Sequence, residues 1–211
     1  AGGEMLLMFV YFGLVYVLIQ EIGTQAQAGF SIGGRIMQSI FMPTMAISFA
    51  IGPMVGQNFG AGIPERVREV FHKGLLLGSG VMLVVTIFLQ INPYILVQFF
   101  TPEAEVIQIG GEFLKIISLN FIAQGIVFSC SGMFQGLGNT RPALMSSVFR
   151  LAIFIPLAFF ATTLDGFVIH DIWYISVLSV WAQGCMSMYL VWRELRIKLS
   201  KIGQAAEAVA V

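Results

Sequence analysis

The sequence predicts an all-α integral membrane protein, because its composition leaves too few charges to cover a water-facing surface. Hydrophobic residues make up 57% of its 211 residues, charged residues make up 10%, and the mean hydropathy is +0.87. An ordinary soluble domain is about 45–50% apolar and about 25% charged. Eleven basic and eleven acidic residues cancel, so no basic field is available for nucleic acid. These values exclude a soluble enzyme, a nucleic-acid-binding protein and a disordered chain, and they indicate the lipid bilayer.

The apolar residues are gathered into six continuous stretches, each near the roughly 20 residues that a transmembrane helix needs. The predicted spans are about Met5–Gln20, Phe30–Met54, Gly74–Gln90, Phe113–Met133, Leu144–Thr162 and Ile172–Trp192. The breaks between them contain glycine, proline or charge, at Thr24–Gly29, Gly56–His72, Asn92–Ile109, Gln135–Pro142 and Thr163–Asp171. Runs such as Val81–Leu89 are apolar at consecutive positions, whereas membrane-barrel strands alternate apolar and polar residues. The spans are therefore predicted to be helices.

The charges in the breaks predict the orientation of the spans, since cytoplasmic loops are rich in lysine and arginine. Two alternate breaks and the tail after the last span are basic, through Arg66, Arg68, Arg141, Arg193, Arg196, Lys198 and Lys201. The long breaks on the other side hold only acidic charges, at Glu103, Glu105, Asp165 and Asp171. We therefore expect residues 1–192 to form the transmembrane unit and residues 193–211 a basic cytoplasmic tail. Both termini are then cytoplasmic.

The first residues, Ala1-Gly2-Gly3-Glu4, lead almost at once into an apolar span. They include neither an initiator methionine nor the basic segment of a signal peptide. We therefore expect the sequence to begin inside a longer protein.

Nothing in the sequence predicts an enzyme, a metal site or a cofactor. Cys130 and Cys185 both fall inside predicted spans, where cysteine serves as a small apolar residue. His72 and His170 fall at span ends, and no cluster has the spacing of metal ligands. We therefore predict no catalytic residue and no metal ligand.

Polar residues inside the spans are the candidates for a substrate cavity, because a polar group in hydrocarbon usually faces a bundle interior or a cavity. Arg150 is the deepest charge, and it either pairs with a substrate or an acid or forms a structural ion pair. Asn120, Gln124 and Ser131 follow one another at spacings of four and seven residues in the fourth span. This stripe either lines a water-filled path or holds helices together by hydrogen bonds. Gln38 is a further cavity candidate, although packing alone explains an isolated glutamine.

Two glycine-rich motifs follow the second and fourth spans. The first is Val55-Gly56-Gln57-Asn58-Phe59-Gly60-Ala61-Gly62, followed by Arg66, and the second is Phe134-Gln135-Gly136-Leu137-Gly138-Asn139-Thr140-Arg141-Pro142. Their glycines permit a tight turn where the chain leaves each helix. The side chains of Gln57 and Asn58 can satisfy exposed carbonyls at the helix end, and Arg66 can hold the loop on the cytoplasmic side. These motifs are predicted to be structural and hinge-like.

The patterns VGQNxGAG…R and FQGLGNTRP, in this order and spacing, resemble those of the multidrug and toxic compound extrusion (MATE) family. The resemblance covers nearly the whole chain. It implies one six-helix lobe, the C-terminal one, of a twelve-helix secondary antiporter in the plasma (inner) membrane. Such a protein exports organic, often cationic, compounds in exchange for Na+ or H+. The implied partners are small organic substrates, the missing N-terminal lobe and the bilayer, and no nucleic acid.

One departure from the family pattern concerns the coupling ion. Several members carry an acid deep in the first and fourth helices of this lobe, and the matching positions here are Met8 and Gln124. Glu4 lies about one turn before Met8. The resemblance then implies that ion coupling depends on the missing lobe, with Gln124 as a neutral contact for substrate.

Two alternatives stay open from the sequence. A related lipid-linked oligosaccharide flippase favours several cations in its cavity, and Arg150 is the main candidate here. A non-transporting membrane scaffold or a degenerate fragment has no need of a cavity. Flux through proteoliposomes distinguishes transport from a scaffold.

Overall fold

The computed structural model describes residues 2–20, 23–163 and 168–209, except for the side chains of Met5, Gln20 and residues 201–209. Within these ranges every regular element is helical, which confirms the all-α prediction. The helices are α1 (Gly2–Gln20), α2 (Thr24–Gly60), α3 (Pro64–Ile91), α4 (Tyr94–Gln98), α5 (Ala104–Ile117), α6 (Phe121–Gly136), α7 (Arg141–Thr162) and α8 (Ile169–Val209). A short 3-10 turn, Ser118–Asn120, joins α5 to α6.

Six helical segments of the described chain are long and apolar enough to cross a membrane. They are Gly2–Ile19, Thr24–Gly60, Pro64–Ile91, Ala104–Gly136, Arg141–Thr162 and Ile169–Ser200. The fourth segment combines α5, the 3-10 turn and α6 into one rod. The predicted number of spans and their order along the chain therefore agree with the structure.

The helices extend further than the apolar stretches predict. α2 continues through Gly56 to Gly60, and α3 begins at Pro64, so the break between them shrinks from Gly56–His72 to three residues. Hydropathy marks the part of a helix that lies in hydrocarbon, whereas backbone hydrogen bonds continue the helix past that boundary. Proline at the first helical position favours the early start of α3.

The other breaks shorten for the same reason. The break predicted at Asn92–Ile109 holds α4 and the first turns of α5, and that at Gln135–Pro142 is reduced to residues 137–140. α2 begins at Thr24, inside the break predicted at Thr24–Gly29. Part of the break at Thr163–Asp171, with Asp165, lies outside the described residues. The tail predicted at residues 193–211 continues α8 as far as Val209.

The fourth segment is the centre of the bundle. In its most apolar stretch 67% of the residues are buried inside the protein, whereas the figure for the first segment is 18%. α2 and α3 pack on one side of α6, and α8 packs on another. α7 lies mainly against α8, and α1 lies against α7 and α2 at the edge of the bundle. The most polar of the predicted spans is therefore the most enclosed.

An aromatic cluster closes the core at the end where α2 and α8 begin. The rings of Phe30 and Trp173 stack at 5.6 Å between centroids, and Phe113 meets Trp173 edge-on at 4.7 Å. Phe113 and Trp173 are almost fully buried. Aromatic pairs in these geometries contribute about 0.5–1.5 kcal/mol beyond the area that they bury. This cluster fixes α2, α5 and α8 relative to one another.

Candidate functional site

A polar network joins four parts of the bundle. The guanidinium carbon of Arg150, on α7, lies 4.0 Å from the centroid of the Tyr11 ring, on α1. The hydroxyl of Tyr11 forms a 2.6 Å hydrogen bond with Ser176 Oγ, on α8. Asn120 Nδ2 also donates to Ser176 Oγ, at 3.5 Å. The network therefore connects α1, α7, α8 and the junction between α5 and α6.

Helical spacing places these side chains toward one another. Tyr11, Val15 and Ile19 are buried and recur every four residues, so they form the inward stripe of α1. Ser176 belongs to a similar buried stripe of α8 with Trp173 and Val180. The Tyr11 ring is thereby directed into the bundle, where it can cover the guanidinium.

The 3-10 turn positions Asn120. Thr86 Oγ1 donates to the carbonyl of Ser118 at 3.0 Å, and Gln90 Nε2 donates to the carbonyl of Lys115 at 2.7 Å. Side-chain donors from α3 thus occupy backbone acceptors where the α-helical pattern is interrupted. Asn120 ends the turn, is 5% exposed and lies beside α8.

Arg150 lies at the middle of its span. It follows Arg141, the first residue of α7, by nine positions, and α7 ends twelve positions later at Thr162. A rise of about 1.5 Å per residue places Arg150 about 13 Å along the helix axis. The hydrocarbon core of a bilayer is about 30 Å thick. The backbone of Arg150 therefore lies near the middle of α7.

Three polar atoms of this region are enclosed without a hydrogen-bond partner among the described residues, namely Arg150 Nε, Asn120 Oδ1 and Gln183 Oε1. Gln183 lies on α8 beyond Ser176, and its Nε2 donates to Ser147 Oγ at 3.3 Å. An enclosed polar group without a partner is costly, so such atoms are uncommon in a folded protein. The other enclosed, unpartnered atoms of the described residues are the hydroxyls of Thr44, Ser79 and Ser129, whereas this region holds a guanidinium nitrogen and two amide oxygens. These stronger hydrogen-bonding groups mark it as a candidate binding site.

The predicted stripe of the fourth span divides between two partners. Asn120 reaches α8, whereas Ser131 Oγ donates to the Glu4 carboxylate of α1 at 2.9 Å and accepts from Gln135 Nε2 at 3.3 Å. Gln124 lies between them, half-buried, and forms no hydrogen bond within the described part of the chain. Its amide is the free polar group of the stripe.

Gln38 does not join the network. Its side chain is exposed on α2, and no hydrogen bond links it to the other cavity candidates in the described residues. The structure therefore brings together Asn120 and Arg150, connects Ser131 to α1, and leaves Gln38 apart.

Tyr11 and Ser176 were not predicted from the sequence as site residues. The buried i, i+4 stripe of α1 is a signal that could have identified Tyr11, because its hydroxyl needs a partner inside the bundle. Ser176 has no such signal, since small hydroxyl residues are common between membrane helices. Only the fold shows that the two side chains meet.

Both glycine-rich motifs end their helices with the same cap. Gly62 and Gly138 have φ angles of 72° and 69°, a conformation that favours glycine. In each cap the amide of the residue after this glycine donates to a carbonyl five positions earlier, at 3.0 Å. These are the bonds of a Schellman motif, which satisfies the last carbonyls of a helix. We refer to residues 60–62 as the first cap and residues 136–138 as the second cap.

The motif residues around these caps have distinct roles. Asn58 Nδ2 donates to the Met54 carbonyl at 2.7 Å, so it satisfies a backbone acceptor within α2. Gln57 is exposed, and its backbone carbonyl accepts from the Ala61 amide at 2.9 Å. Arg66 pairs with Glu69 at 3.2 Å on the surface of α3.

The second motif is tied to α8. Asn139 Nδ2 donates to Glu194 Oε1 at 3.1 Å, and Asn139 Oδ1 accepts from the Arg141 amide at 3.4 Å. Lys198 Nζ donates to the carbonyl of Leu137. The loop between α6 and α7 is thereby held against the end of the last helix.

Gly56 does not lie in the turn that the sequence predicts for it. It lies within α2, and a Cβ added there would be 3.4 Å from the Gly136 carbonyl oxygen. A Cβ on Gly132 would be 2.4 Å from the Ser48 carbonyl oxygen, and one on Gly136 would be 2.5 Å from that of Gly52. Glycine at these positions lets the backbones of α2 and α6 approach closely.

A groove of about 290 Å³ lies away from the polar network, between α2 and α3. Its apolar part includes Ile47 and Leu77, and its charged edge is formed by Arg66, Glu69 and Lys73. Glu69 pairs with both cations, at 3.2 and 2.7 Å. The charged side chains at the edge of the groove therefore pair with one another on α3.

The side chains of the network are suited to binding a ligand through hydrogen bonds and charge. They offer a guanidinium, amides and hydroxyls near the middle of the helices. In the described ranges, no three histidine, cysteine, aspartate or glutamate residues lie close enough together to hold a metal ion.

Comparison with protein families matches the MatE family model to residues 1–160. Among curated proteins, a probable multidrug resistance protein NorM of Thermotoga maritima is 33% identical over 123 residues, which are 58% of this chain and 26% of that protein. The multidrug export protein MepA of Staphylococcus aureus is 27% identical over 164 residues, which are 77% of this chain and 36% of MepA. The chain thus spans well under half the length of these two relatives.

Solved structures show the same fold. A MOP superfamily transporter from Pyrococcus furiosus matches with a TM-score of 0.84 and 16% identity, over 95% of this chain and 44% of that one. The Vibrio cholerae MATE transporter VcmN, in its bent form, matches with a TM-score of 0.81 and 22% identity, over 95% of this chain and 45% of VcmN. Nearly all of the described chain therefore corresponds to one part, slightly under half, of these transporters.

Proposed function

The chain belongs to the MATE family of membrane transporters, and we propose that it forms the C-terminal lobe of a secondary antiporter. The family match over residues 1–160 carries this proposal, and the lobe-sized match to solved transporters supports it. The antiporter exports small organic compounds, cationic ones among them, in exchange for Na+ or H+. The N-terminal lobe supplies the other wall of the substrate cavity. Alternating access follows when the two lobes rock against each other.

The polar network supplies the cavity side of this lobe. Asn120 and Arg150 lie in it, and Gln124 follows Asn120 by four residues in the same transmembrane segment, with an amide that has no partner among the described residues. Ser131 lines the path nearer to the start of α1, and Gln38 faces outward from α2. Transporters bind substrate near the bilayer midplane, which agrees with the depth of Arg150.

The proposed coupling mechanism assigns the ion to the other lobe. Met8 and Gln124 are neutral, and Glu4 already accepts a hydrogen bond from Ser131. A carboxylate that exchanges protons or Na+ at mid-depth must then come from outside this chain. The lobe described here contributes neutral and cationic contacts.

The proposed orientation places both ends of the chain in the cytoplasm of a plasma (inner) membrane protein. Arg66, Arg141 and Arg193 lie at one end of the bundle, at the beginnings of α3 and α7 and late in α8. Basic residues at this end agree with the positive-inside rule. The two caps then lie on the cytoplasmic side.

Substitution of the amides tests the cavity assignment. In cells that express the full-length gene, Asn120→Ala and Gln124→Ala are each expected to lower drug export about fivefold, the value of one lost hydrogen bond of about 1 kcal/mol. Export is measured as efflux of a fluorescent drug at matched membrane protein levels. Gln98→Ala is the matched control, since Gln98 is exposed on α4, and it should export normally.

Unchanged export by both amide variants contradicts the lining role. Absence of efflux from the wild-type protein, in cells and in proteoliposomes alike, favours the scaffold alternative. A flippase is indicated instead if the purified protein moves lipid-linked oligosaccharides and not drugs.

A further inference from the structure

The guanidinium of Arg150 has no anionic partner within the described residues. Its Nε is enclosed and unpaired, and neither terminal nitrogen forms a hydrogen bond or an ion pair there. The terminal nitrogens are not among the enclosed, unpartnered atoms, so they keep some accessible surface in this half-buried side chain. A charge at mid-membrane is costly and is normally compensated by an opposite charge or a set of acceptors. The side chain is therefore available to an anion.

The described acids have other positions or partners. Glu65, Glu105 and Asp171 lie in the first turns of α3, α5 and α8. Glu112 lies 3.0 Å from His170 Nε2, and Glu194 accepts a hydrogen bond from Asn139. Glu4 is in the first turn of α1, where Ser131 donates to it. In the described part of the chain, no carboxylate is thus placed to neutralise Arg150, and the anion must come from elsewhere.

Tyr11 fixes the guanidinium in an orientation that suits a planar anion. The ring covers one side of Arg150, and its own hydroxyl is anchored to Ser176. A guanidinium held in this way presents its remaining N–H donors as a fixed fork, which matches the two oxygens of a carboxylate. Ser147, one turn earlier on α7, adds a hydroxyl on the same side of the helix.

We propose that Arg150 binds a carboxylate of the transported compound, so that this lobe selects substrates that carry an anionic group, alone or beside a cation. This inference rests on the proposed transport function. It differs from the expectation that substrates are often cationic, because the deep charge of this lobe is positive. A zwitterionic compound satisfies both, with its carboxylate on Arg150 and its cation on the side of the other lobe.

The inference is tested with two dyes that differ only in whether one carboxyl group is free or esterified. Rhodamine 110 has a free carboxylate, and rhodamine 123 is its methyl ester. Their binding to the full-length protein in nanodiscs is measured by fluorescence anisotropy. We expect the wild-type protein to bind rhodamine 110 more tightly. Arg150→Gln should lower the affinity for rhodamine 110 at least tenfold and change the affinity for rhodamine 123 by less than twofold.

Two further variants keep the test decisive. Arg150→Lys retains the charge without the forked arrangement of donors. Its affinity for rhodamine 110 should therefore lie between those of the wild type and Arg150→Gln, and it gives a test even if Arg150→Gln is poorly folded. Arg68→Gln removes an equal charge from the exposed surface of α3, and it should leave both dyes unaffected. Equal affinity of the wild-type protein for the two dyes, or equal weakening of both by Arg150→Gln, overturns the inference.

Transport is measured separately in proteoliposomes loaded with each dye. Flux of rhodamine 123 without carboxylate selectivity supports the proposed export function and overturns the role of Arg150. Selective binding of rhodamine 110 without flux supports Arg150 and counts against export. An ion pair with an acid of the other lobe predicts that Arg150→Gln lowers thermal stability and affects both dyes alike, and this result also overturns the inference.

Discussion

The first and second caps have the same local structure but different surroundings. Both end a helix with a Gly-x-Gly sequence, and their three backbone hydrogen bonds follow one pattern. A Cβ on Gly60 would meet nothing within 4 Å, whereas a Cβ on the equivalent Gly136 would lie 2.5 Å from the Gly52 carbonyl oxygen. The residue that follows is exposed in the first cap, Ala61, and buried in the second, Leu137.

The difference shows that one sequence motif can serve two purposes. Its second glycine, with positive φ, is needed by the chain wherever a helix ends in this way. Its first glycine matters only where another backbone lies against it. α6 is the central helix, so its cap is packed against α2, whereas the three residues of the first cap are exposed.

The largest expected effect comes from Gly136, the first glycine of the second cap. Gly136→Ala forces backbone atoms of α2 and α6 apart and should destabilise the protein by about 3 kcal/mol, the upper part of the usual range for overpacking. Gly60→Ala is the matched variant, and it should change stability by less than about 0.5 kcal/mol, as usual for the surface. Thermal denaturation in detergent measures both. Equal stability of the two variants contradicts the packing difference.

A smaller and equal effect is expected at the second glycine. Gly62→Ala and Gly138→Ala both place a side chain at positive φ, which costs about 1–2 kcal/mol for an L-residue. The two melting temperatures should fall by similar amounts, because this cost is local. If only one of them falls, the two caps do not share one backbone conformation in solution.

The smallest effect concerns the asparagine of each motif. Asn139→Ala removes the hydrogen bond to Glu194 on α8 and should cost about 1 kcal/mol. Asn58→Ala removes only a bond within α2, where solvent can replace the side chain, so a loss near zero is expected. Double substitution with Glu194→Ala provides the check. Additive losses for Asn139 and Glu194 would show that the bond does not form.

The sequence predicted the six spans because each of them satisfies a local requirement, a long run of apolar residues. It did not predict the helix ends, as α2 shows by continuing to Gly60. The apolar pattern changes at the membrane boundary, whereas the hydrogen-bonded helix ends only where the cap residues allow it.

The candidate site was predicted in part. Arg150 and Asn120 could be identified from the sequence, because charge and amide groups in an apolar run are conspicuous. Tyr11 and Ser176 could not, because a tyrosine and a serine are ordinary residues of membrane helices until a partner is known. Gln38 and Gln124 look alike in the sequence, yet one is exposed on α2 and the other is half-buried on α6.

The sequence by itself determined the membrane environment, the number of spans and the glycines that cap α2 and α6, since composition and glycine position act over short distances. Only the tertiary structure decided which glycine is packed, which polar atoms are left without partners and which ring covers Arg150. Those properties depend on residues far apart in the chain, such as Tyr11 and Ser176, separated by 165 positions. Helix packing brings these two residues together, and no local sequence pattern predicts that contact.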